Sequence, residues 1–440
     1  MKNIKKTTCY LIVAALCSLN TLFATTTETP FTVPTRFGVN LSCGEFGTTP
    51  GIYNASYTYP RISELDYFKS KGLTLIRMPF KWERVQDVLG GPIDIASDIP
   101  KIKEFLQAAQ DRGIYVMIDM HNYARCSVNG KSYVIGQTEN VTINHFVDVW
   151  TKLANELKGF TNIWGYDIMN EPHDMGTVSW FKIAQAAIDG IRSVDTNTPI
   201  VVEGGNWASS YSWKSSSDSL KYLVDPSNKI IYQAHCYFDN NASGVYSGTY
   251  DTEVKTATIA TIRLKPFADW IQANNKIGMI GEFGVPGNDP RWLTMLDQAM
   301  DYMKSRNLSG TYWAAGPWWG TSYTMSVEPT SIDSNPVDKP QMAILEKYGN
   351  DKLSAVNEIN ANVVAKFFPN PVIDVLSIVS DKAIKGVVIY NLLGEKVIEF
   401  NISDNSSEHS VSLKNLLKGN YCAKVIFKDN TYNIEKVIKD

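Results

Sequence analysis

Two acidic residues, Glu171 and Glu282, stand 111 positions apart, each at the end of a strand-like apolar segment. The first lies in Asn170-Glu171-Pro172 after Ile163 to Met169, the second in Gly281-Glu282-Phe283-Gly284 after Ile277 to Ile280. Cleavage of a bond between two sugars needs one carboxyl to protonate the departing oxygen. A second must attack the anomeric carbon or activate water against it. Two carboxylates brought by separate strand ends to one place meet that need, so the pair predicts hydrolysis of a glycosidic bond. Other residues able to bind or tune fall at matching positions: Arg77, His121, Asn170, Asn206, Trp207, His235, Tyr237 and Trp313 each end or follow an apolar run.

Such residues act together only if the strand ends converge. The strand candidates are Phe37 to Leu41, Leu73 to Met78, Tyr115 to Met120, Ile163 to Met169, Pro199 to Glu203, Ile230 to His235, Ile277 to Gly281 and Gly310 to Ala314. Between them run amphipathic segments with apolar residues recurring at three and four: Ile62 to Lys71, Ile99 to Arg112, Ile143 to Leu157, Ser179 to Val194, Glu253 to Asn274 and Trp292 to Ser305, with a last helix at Pro340 to Tyr348. Strands alternating with helices in this way predict an α/β fold, the (β/α)8 TIM barrel, whose chemistry collects at the C-terminal strand ends.

With 440 residues, 44% apolar and 11% aromatic, the chain can bury a large core and holds more than one domain. A formal charge of -3 and a pI near 6.0 offer no field for a phosphate backbone, and no Lys/Arg cluster interleaves with aromatics, so nucleic acid is excluded as a partner. A neutral polymer suits the composition better. Eleven Trp and 22 Tyr provide flat faces for sugars; most fill the core, and about one Trp in three is expected at a ligand surface. Asp119-Met120-His121 has no second His at helical spacing and no Cys/His cluster beside it. No metal and no other cofactor is therefore expected.

Residues 1–24 read as a signal peptide: Lys2, Lys5 and Lys6 precede an apolar stretch from Cys9 to Leu19, and Leu22-Phe23-Ala24 offers a cleavage site. Leu16 before Cys17 argues against a lipid anchor, and no other apolar run reaches membrane-spanning length. The remaining Cys43, Cys126, Cys236 and Cys422 are widely spaced; one bridge is allowed and none is demanded.

The motifs Leu75-Ile-Arg-Met-Pro-Phe80, Ile118-Asp-Met-His-Asn-Tyr-Ala-Arg125, Ile168-Met-Asn-Glu-Pro-His173, His235-Cys-Tyr237, Ile280-Gly-Glu-Phe-Gly284 and Tyr312-Trp313 resemble glycoside hydrolase family 5. The likeness is strongest to its endo-β-1,4-glucanases of the fungal-type branch and covers Arg36 to Tyr348. It implies a retaining enzyme with Glu282 as nucleophile and Glu171 as acid/base. Local chemistry agrees, since Arg77 could keep Glu282 ionised while Glu171 must stay protonated to donate. Tyr237 is expected to donate to the nucleophile and His235 to orient it. Asn170 is expected to bind the sugar 2-hydroxyl, His121 to bond the sugar or the carboxylate network, and Trp313 to form the platform under the sugar whose bond breaks. Asn206 and Trp207 complete the binding set, while Trp318 and Trp319 stay near the cleft. The branch resembled favours β-1,4-glucan, cellulose or mixed-linkage, cut internally. Mannan, xylan and a barrel that only binds glucan remain alternatives.

Composition shifts after Tyr348. The divisions expected are a barrel over 25–349, a polar linker over 350–362 and a small all-β sandwich over 363–440, built from Val375 to Ile378, Val387 to Tyr390, Lys396 to Ile398, Val411 to Leu413, Tyr421 to Phe427 and Ile434 to Ile438. Phe368-Pro-Asn-Pro371, Ile389-Tyr-Asn-Leu-Leu-Gly394, Gly419-Asn-Tyr421 and Lys436-Val-Ile-Lys439 resemble the C-terminal sorting domain of type IX secretion in Bacteroidota. That resemblance implies the type IX machinery as partner and a secreted or cell-surface protein passing through the periplasm. A monomer without a transmembrane segment is the expectation.

Overall fold

Parallel strands need a long return crossing, and an amphipathic helix provides one while covering the outside of the sheet. The computed structural model describes residues 31–93, 98–320, 322–349, 365–391, 396–429 and 432–440; the expected signal peptide and linker lie outside them. In chain order the elements are β1 (Phe37–Leu41), α1 (Ile62–Ser70), β2 (Leu75–Phe80), α2 (Ile99–Asp111), β3 (Tyr115–Met120), a hairpin of β4 (Arg125–Val128) and β5 (Lys131–Val134), α3 (Ile143–Leu157), β6 (Ile163–Asp167), α4 (Trp180–Arg192), β7 (Ile200–Glu203), α5 (Trp213–Ser217), β8 (Ile230–His235), α6 (Tyr250–Glu253), α7 (Ile259–Ala273), β9 (Ile277–Phe283), α8 (Pro290–Ser305), β10 (Ser309–Ala315) and α9 (Met342–Lys347). Strands β1, β2, β3, β6, β7, β8, β9 and β10 pair in that order and close on themselves, all parallel. This is the (β/α)8 barrel.

Two differences from the sequence reading have local causes. The second strand begins at Leu75 rather than Leu73, because the Leu73 N–H donates to Phe68 and closes the end of α1. The helix expected from Glu253 to Asn274 is split into α6 and α7. The Glu253 carboxylate accepts the Asn240 and Gly248 N–H groups at 2.8 and 2.6 Å, which ties that turn to the preceding loop.

Side chains alternate along each strand, so the barrel interior fills in layers. The lower layer, Leu75, Met117, Val201, Ile231 and Met279, is apolar. Two residues further along, the same strands carry Arg77, Asp119, Glu203, Gln233 and Gly281. The mouth is therefore polar directly above an apolar plug. Trp82, Trp150, Trp164, Trp180, Trp213, Trp270 and Trp292 are buried, leaving Trp207, Trp313, Trp318 and Trp319 of the eleven at or near the surface. Among the described residues no helix is long and apolar enough to cross a membrane, and the described cysteines Cys43, Cys126, Cys236 and Cys422 are unpaired.

The C-terminal strands β11 (Lys366–Phe368), β12 (Val375–Val379), β13 (Ile384–Tyr390), β14 (Lys396–Asn401), β15 (Glu408–Ser412), β16 (Gly419–Phe427) and β17 (Tyr432–Lys439) form two sheets, ordered β11-β12-β15 and β14-β13-β16-β17. Leu376, Ile378 and Val411 from one sheet meet Val387, Ile389, Val425 and Phe427 from the other in a single core. That packing is the expected all-β sandwich.

Candidate active site

The two strand-end motifs have local reasons for their composition. A Cβ on Gly281 would lie 2.3 Å from the Gln233 side-chain amide, and one on Gly284 would lie 2.4 Å from the Trp313 carbonyl oxygen. Both glycines flanking Glu282 are thus spaces that neighbouring strands occupy. Glu171 adopts φ +44°, a left-handed conformation that is strained for a residue with a side chain. Buried tryptophans brace the ends of the adjacent strands: the Trp150 indole N–H of α3 donates to the Ile168 carbonyl at 2.9 Å, and the Trp180 indole of α4 donates to the Glu203 carbonyl at 2.8 Å.

Arg77 lies fully buried beneath the mouth. Its guanidinium reaches Glu282 at 2.8 Å, Asp167 and Glu203 at 2.9 Å and Asp119 at 3.0 Å, and it donates to the side-chain oxygens of Asn40 and Asn170 at 3.0 and 2.8 Å. Burial opposes its charge, yet the four carboxyls raise its pKa well above the usual arginine value. Asp167 shifts the other way for a carboxyl: burial and the neighbouring Glu203 raise it well above the usual range despite Arg77.

The two candidate carboxyls are biased in opposite directions. Burial alone would raise Glu282, but the charges of His235 and Arg77 and the Tyr237 hydroxyl, which donates to Oε2 at 2.7 Å, hold it below the ordinary glutamate value. Burial raises Glu171, and the hydrogen bond from His235 offsets this only in part while Glu282 and Glu203 add to it. One oxygen from each carboxyl and one ring nitrogen of His235 lie within 4.8 Å of one another. A carboxyl biased toward its proton beside one biased toward its charge can supply an acid and a nucleophile to the same bond.

Eight of the ten residues singled out in the sequence line one cleft of about 640 Å³: Glu171, Glu282, His121, His235, Tyr237, Trp313, Asn206 and Trp207. Arg77 and Asn170 lie beneath it, both fully buried. Their pairings refine the expectations. His235 bonds Glu171 through Nδ1 at 2.7 Å and stands 3.6 Å from Glu282, so its nearer partner is Glu171 and not Glu282 as the sequence reading had it. His121 bonds Asp119 through Nδ1 at 2.7 Å and stacks on Trp313 with ring centres 5.5 Å apart. Asn170 approaches His121 Nε2 with its amide nitrogen at 3.2 Å. Trp207, 46% exposed, stacks on His173 with ring centres 3.4 Å apart. It sits in a run of three left-handed residues, Asn206 to Ala208, and the Asn206 amide is tied to Ser212 at 2.8 Å. Trp319 lies edge-on to Trp313 and stacks on Tyr323. Trp213, by contrast, is core.

Sequence reading missed Glu203, Asp167, Asn40 and Tyr123. Glu203 and Asp167 each end a strand, which was the available signal. Tyr123 gave none, because its approach to His121 Nε2 at 3.2 Å depends on a left-handed turn at Tyr123 and Ala124.

An eightfold parallel barrel with paired carboxyls at the C-terminal mouth has the form of a barrel glycosidase. Residues 36–318 match the cellulase family, glycosyl hydrolase family 5, and the chain belongs to that family. Residues 366–440 match the secretion system C-terminal sorting domain. A probable endo-beta-1,4-glucanase B from Aspergillus oryzae is 34% identical over 299 residues, 66% of this chain and 84% of the relative. Among solved structures, endoglucanase Cel5A of Pseudomonas stutzeri in complex with cellobiose is 36% identical, covering 73% of this chain and 94% of that one with a TM-score of 0.66. An endo-beta-1,4-glucanase of Xanthomonas axonopodis pv. citri is 34% identical, covering 72% and 98%, with a TM-score of 0.64.

Proposed function

We propose that the protein is an exported, endo-acting, retaining glycoside hydrolase that cleaves β-1,4-glucan, with Glu282 as nucleophile and Glu171 as acid/base. The observation that carries this reading is the approach of the two carboxyls within a 4.8 Å cluster, one biased toward its charge and the other toward its proton. Retaining enzymes hold their carboxyls roughly 5–5.5 Å apart, too close for an intervening water. The relatives named endo-β-1,4-glucanase and the cellobiose complex of a 36% identical structure support the β-1,4-glucan substrate.

In the first step Glu282 attacks the anomeric carbon while Glu171 gives its proton to the departing oxygen, forming a glycosyl ester and freeing the shortened chain. In the second, the now ionised Glu171 takes a proton from water, whose oxygen displaces Glu282 and regenerates both groups. Arg77 and Tyr237 keep Glu282 ionised for the attack. The Asn170 amide serves the sugar 2-hydroxyl, Trp313 carries the sugar at the cleaved bond, and Asn206 and Trp207 line the same cleft. The C-terminal sandwich acts as the address for type IX export, which leaves the enzyme secreted or on the cell surface after passage through the periplasm.

Reducing-sugar release from carboxymethyl cellulose by wild type, Glu171→Ala and Glu282→Ala tests the reading. Both variants are expected to lose at least about 100-fold, the low end for removing a positioned acid. Wild-type activity no greater than theirs would overturn it. A parallel panel of cellulose, mixed-linkage glucan, xylan and mannan tests the substrate.

A further inference from the structure

Glu203 ends β7 and is fully buried, yet it does not touch the cleft. Its two oxygens have separate partners. Oε2 accepts the backbone N–H of Glu171 at 2.7 Å. Oε1 accepts from Arg77 at 2.9 Å and from the Gln233 amide, and lies 3.2 Å from His235 Nε2, off the line of a hydrogen bond. The other nitrogen of that imidazole bonds Glu171 Oε1 at 2.7 Å. Glu171, Glu203 and His235 therefore form a closed ring in which the acid/base is gripped at its backbone and at its carboxyl.

The backbone grip falls where the chain needs it. A left-handed conformation costs a residue with a side chain on the order of 1–2 kcal/mol and persists only where neighbours hold it. The Glu171 amide at φ +44° is such a place. The grip through His235 sets the direction of the carboxyl, because an imidazole bonded on one side and ion-paired on the other cannot rotate freely.

We propose that Glu203 is a positioning residue for the acid/base, holding Glu171 directly by its N–H and indirectly through His235. This inference rests on the reading of Glu171 as the acid/base. Electrostatics support it: burial would raise Glu203, but His235, Arg77 and the Glu171 N–H lower it to about 2. An ionised Glu203 in turn helps keep His235 protonated against burial. The charged and titratable groups around this ring are Arg77 from β2, Asp119 from β3 with His121 and Tyr123 just after it, Asp167 and Glu171 from β6 and the turn after it, His235 and Tyr237 at the end of β8, and Glu282 from β9. Losing the Glu203 charge weakens the hold on the His235 proton and also removes a charge that raises Glu171, two effects of opposite sign, so the positioning role is read from geometry and leaving-group dependence.

The test compares Glu203→Gln with wild type on two soluble substrates: a cello-oligosaccharide, whose leaving alcohol must be protonated, and an aryl β-cellobioside whose phenolate leaves unaided. Rates are referred to sites titrated with a 2-fluoro cellobioside that traps the glycosyl ester, so unfolded protein is not counted. We expect kcat/KM on the oligosaccharide to fall about 100-fold, as for a mispositioned general acid, with a loss below about fivefold for the first turnover of the aryl substrate. Equal losses on both substrates would overturn the proposal. Where Glu203→Gln yields too few titrated sites, Glu203→Asp, one methylene shorter, must show the same split between substrates. Failure of the underlying site reading looks different, since Glu171→Ala would then show no split either.

Discussion

Replacing Tyr237 by Phe isolates one hydrogen bond to the proposed nucleophile. Glu282 Oε1 is held by Arg77 at 2.8 Å and Oε2 by the Tyr237 hydroxyl at 2.7 Å. The next group near Oε2, His235 Nδ1, stands 3.6 Å away and is already bonded to Glu171, so nothing nearby replaces the phenol. A hydrogen bond to a charged group contributes about 1.5–3 kcal/mol, and here it does so only while Glu282 is ionised. The variant therefore titrates Glu282 at higher pH than wild type. Well below that titration, the ionised fraction falls by the same free energy, which at about 1.4 kcal/mol per decade is roughly 10- to 150-fold in kcat/KM. Above it both proteins are fully ionised and the difference shrinks. Measuring kcat/KM on a soluble cello-oligosaccharide from acid to neutral pH reads this as an acid limb displaced upward with a largely preserved plateau. A uniform loss at every pH, or an acid limb that stays in place, would refute the assignment of Tyr237 as the donor that keeps the nucleophile charged.

Two tryptophans separate binding from folding. Trp207→Ala should raise KM for a long oligosaccharide several-fold while changing stability by less than about 1 kcal/mol, because the ring is half exposed on the cleft. Trp213→Ala should lower stability by about 3–5 kcal/mol in urea denaturation, since that ring is fully buried against Phe267 and Trp270. Asp225 accepts two bonds from Arg192 at 2.6 and 2.9 Å with both side chains almost wholly enclosed. Burial would raise its pKa, but Arg192 and the Lys229 and Ser227 N–H groups lower it. Its contribution is thus present above the ordinary aspartate value near 3.9 and lost as pH falls through the lower folded one. Asp225→Asn should cost about 3–5 kcal/mol near neutral pH, with the gap to wild type closing below about pH 4 in the same denaturation assay. Deleting residues 363–440 should leave hydrolysis of carboxymethyl cellulose unchanged and retain the enzyme in the periplasm. Normal export of the truncated chain would sink the sorting role.

Periodicity and strand-end position carried most of the fold and much of the site. Eight strands, their order and the cleft-lining residues were legible because alternation along a parallel strand leaves its last polar side chain facing the mouth. The interior network was harder to see. Glu203 and Asp167 end their strands, but nothing local shows which partners they meet. Their roles come from Arg77, which is 126 positions from Glu203 and 90 from Asp167. The nearer partner of His235 was not legible for a similar reason: it reaches both glutamates, and ring orientation depends on Glu203 on its far side. Tryptophans divided by layer rather than by motif. Trp207 and Trp213 lie six residues apart, yet one is half exposed and the other is core.

The amino-acid order alone pointed to two carboxylates at strand ends on one side of the fold, because apolar runs of strand length separated by amphipathic helices pair as a parallel sheet whose strand ends face the same way. Which carboxylate keeps its proton was decided by tertiary structure. Arg77 and Tyr237 surround Glu282, while Glu171 has the shared imidazole of His235 and the charges of two other glutamates. Protonation depends on burial and on charges a few ångströms away, and those distances exist only once the barrel has closed.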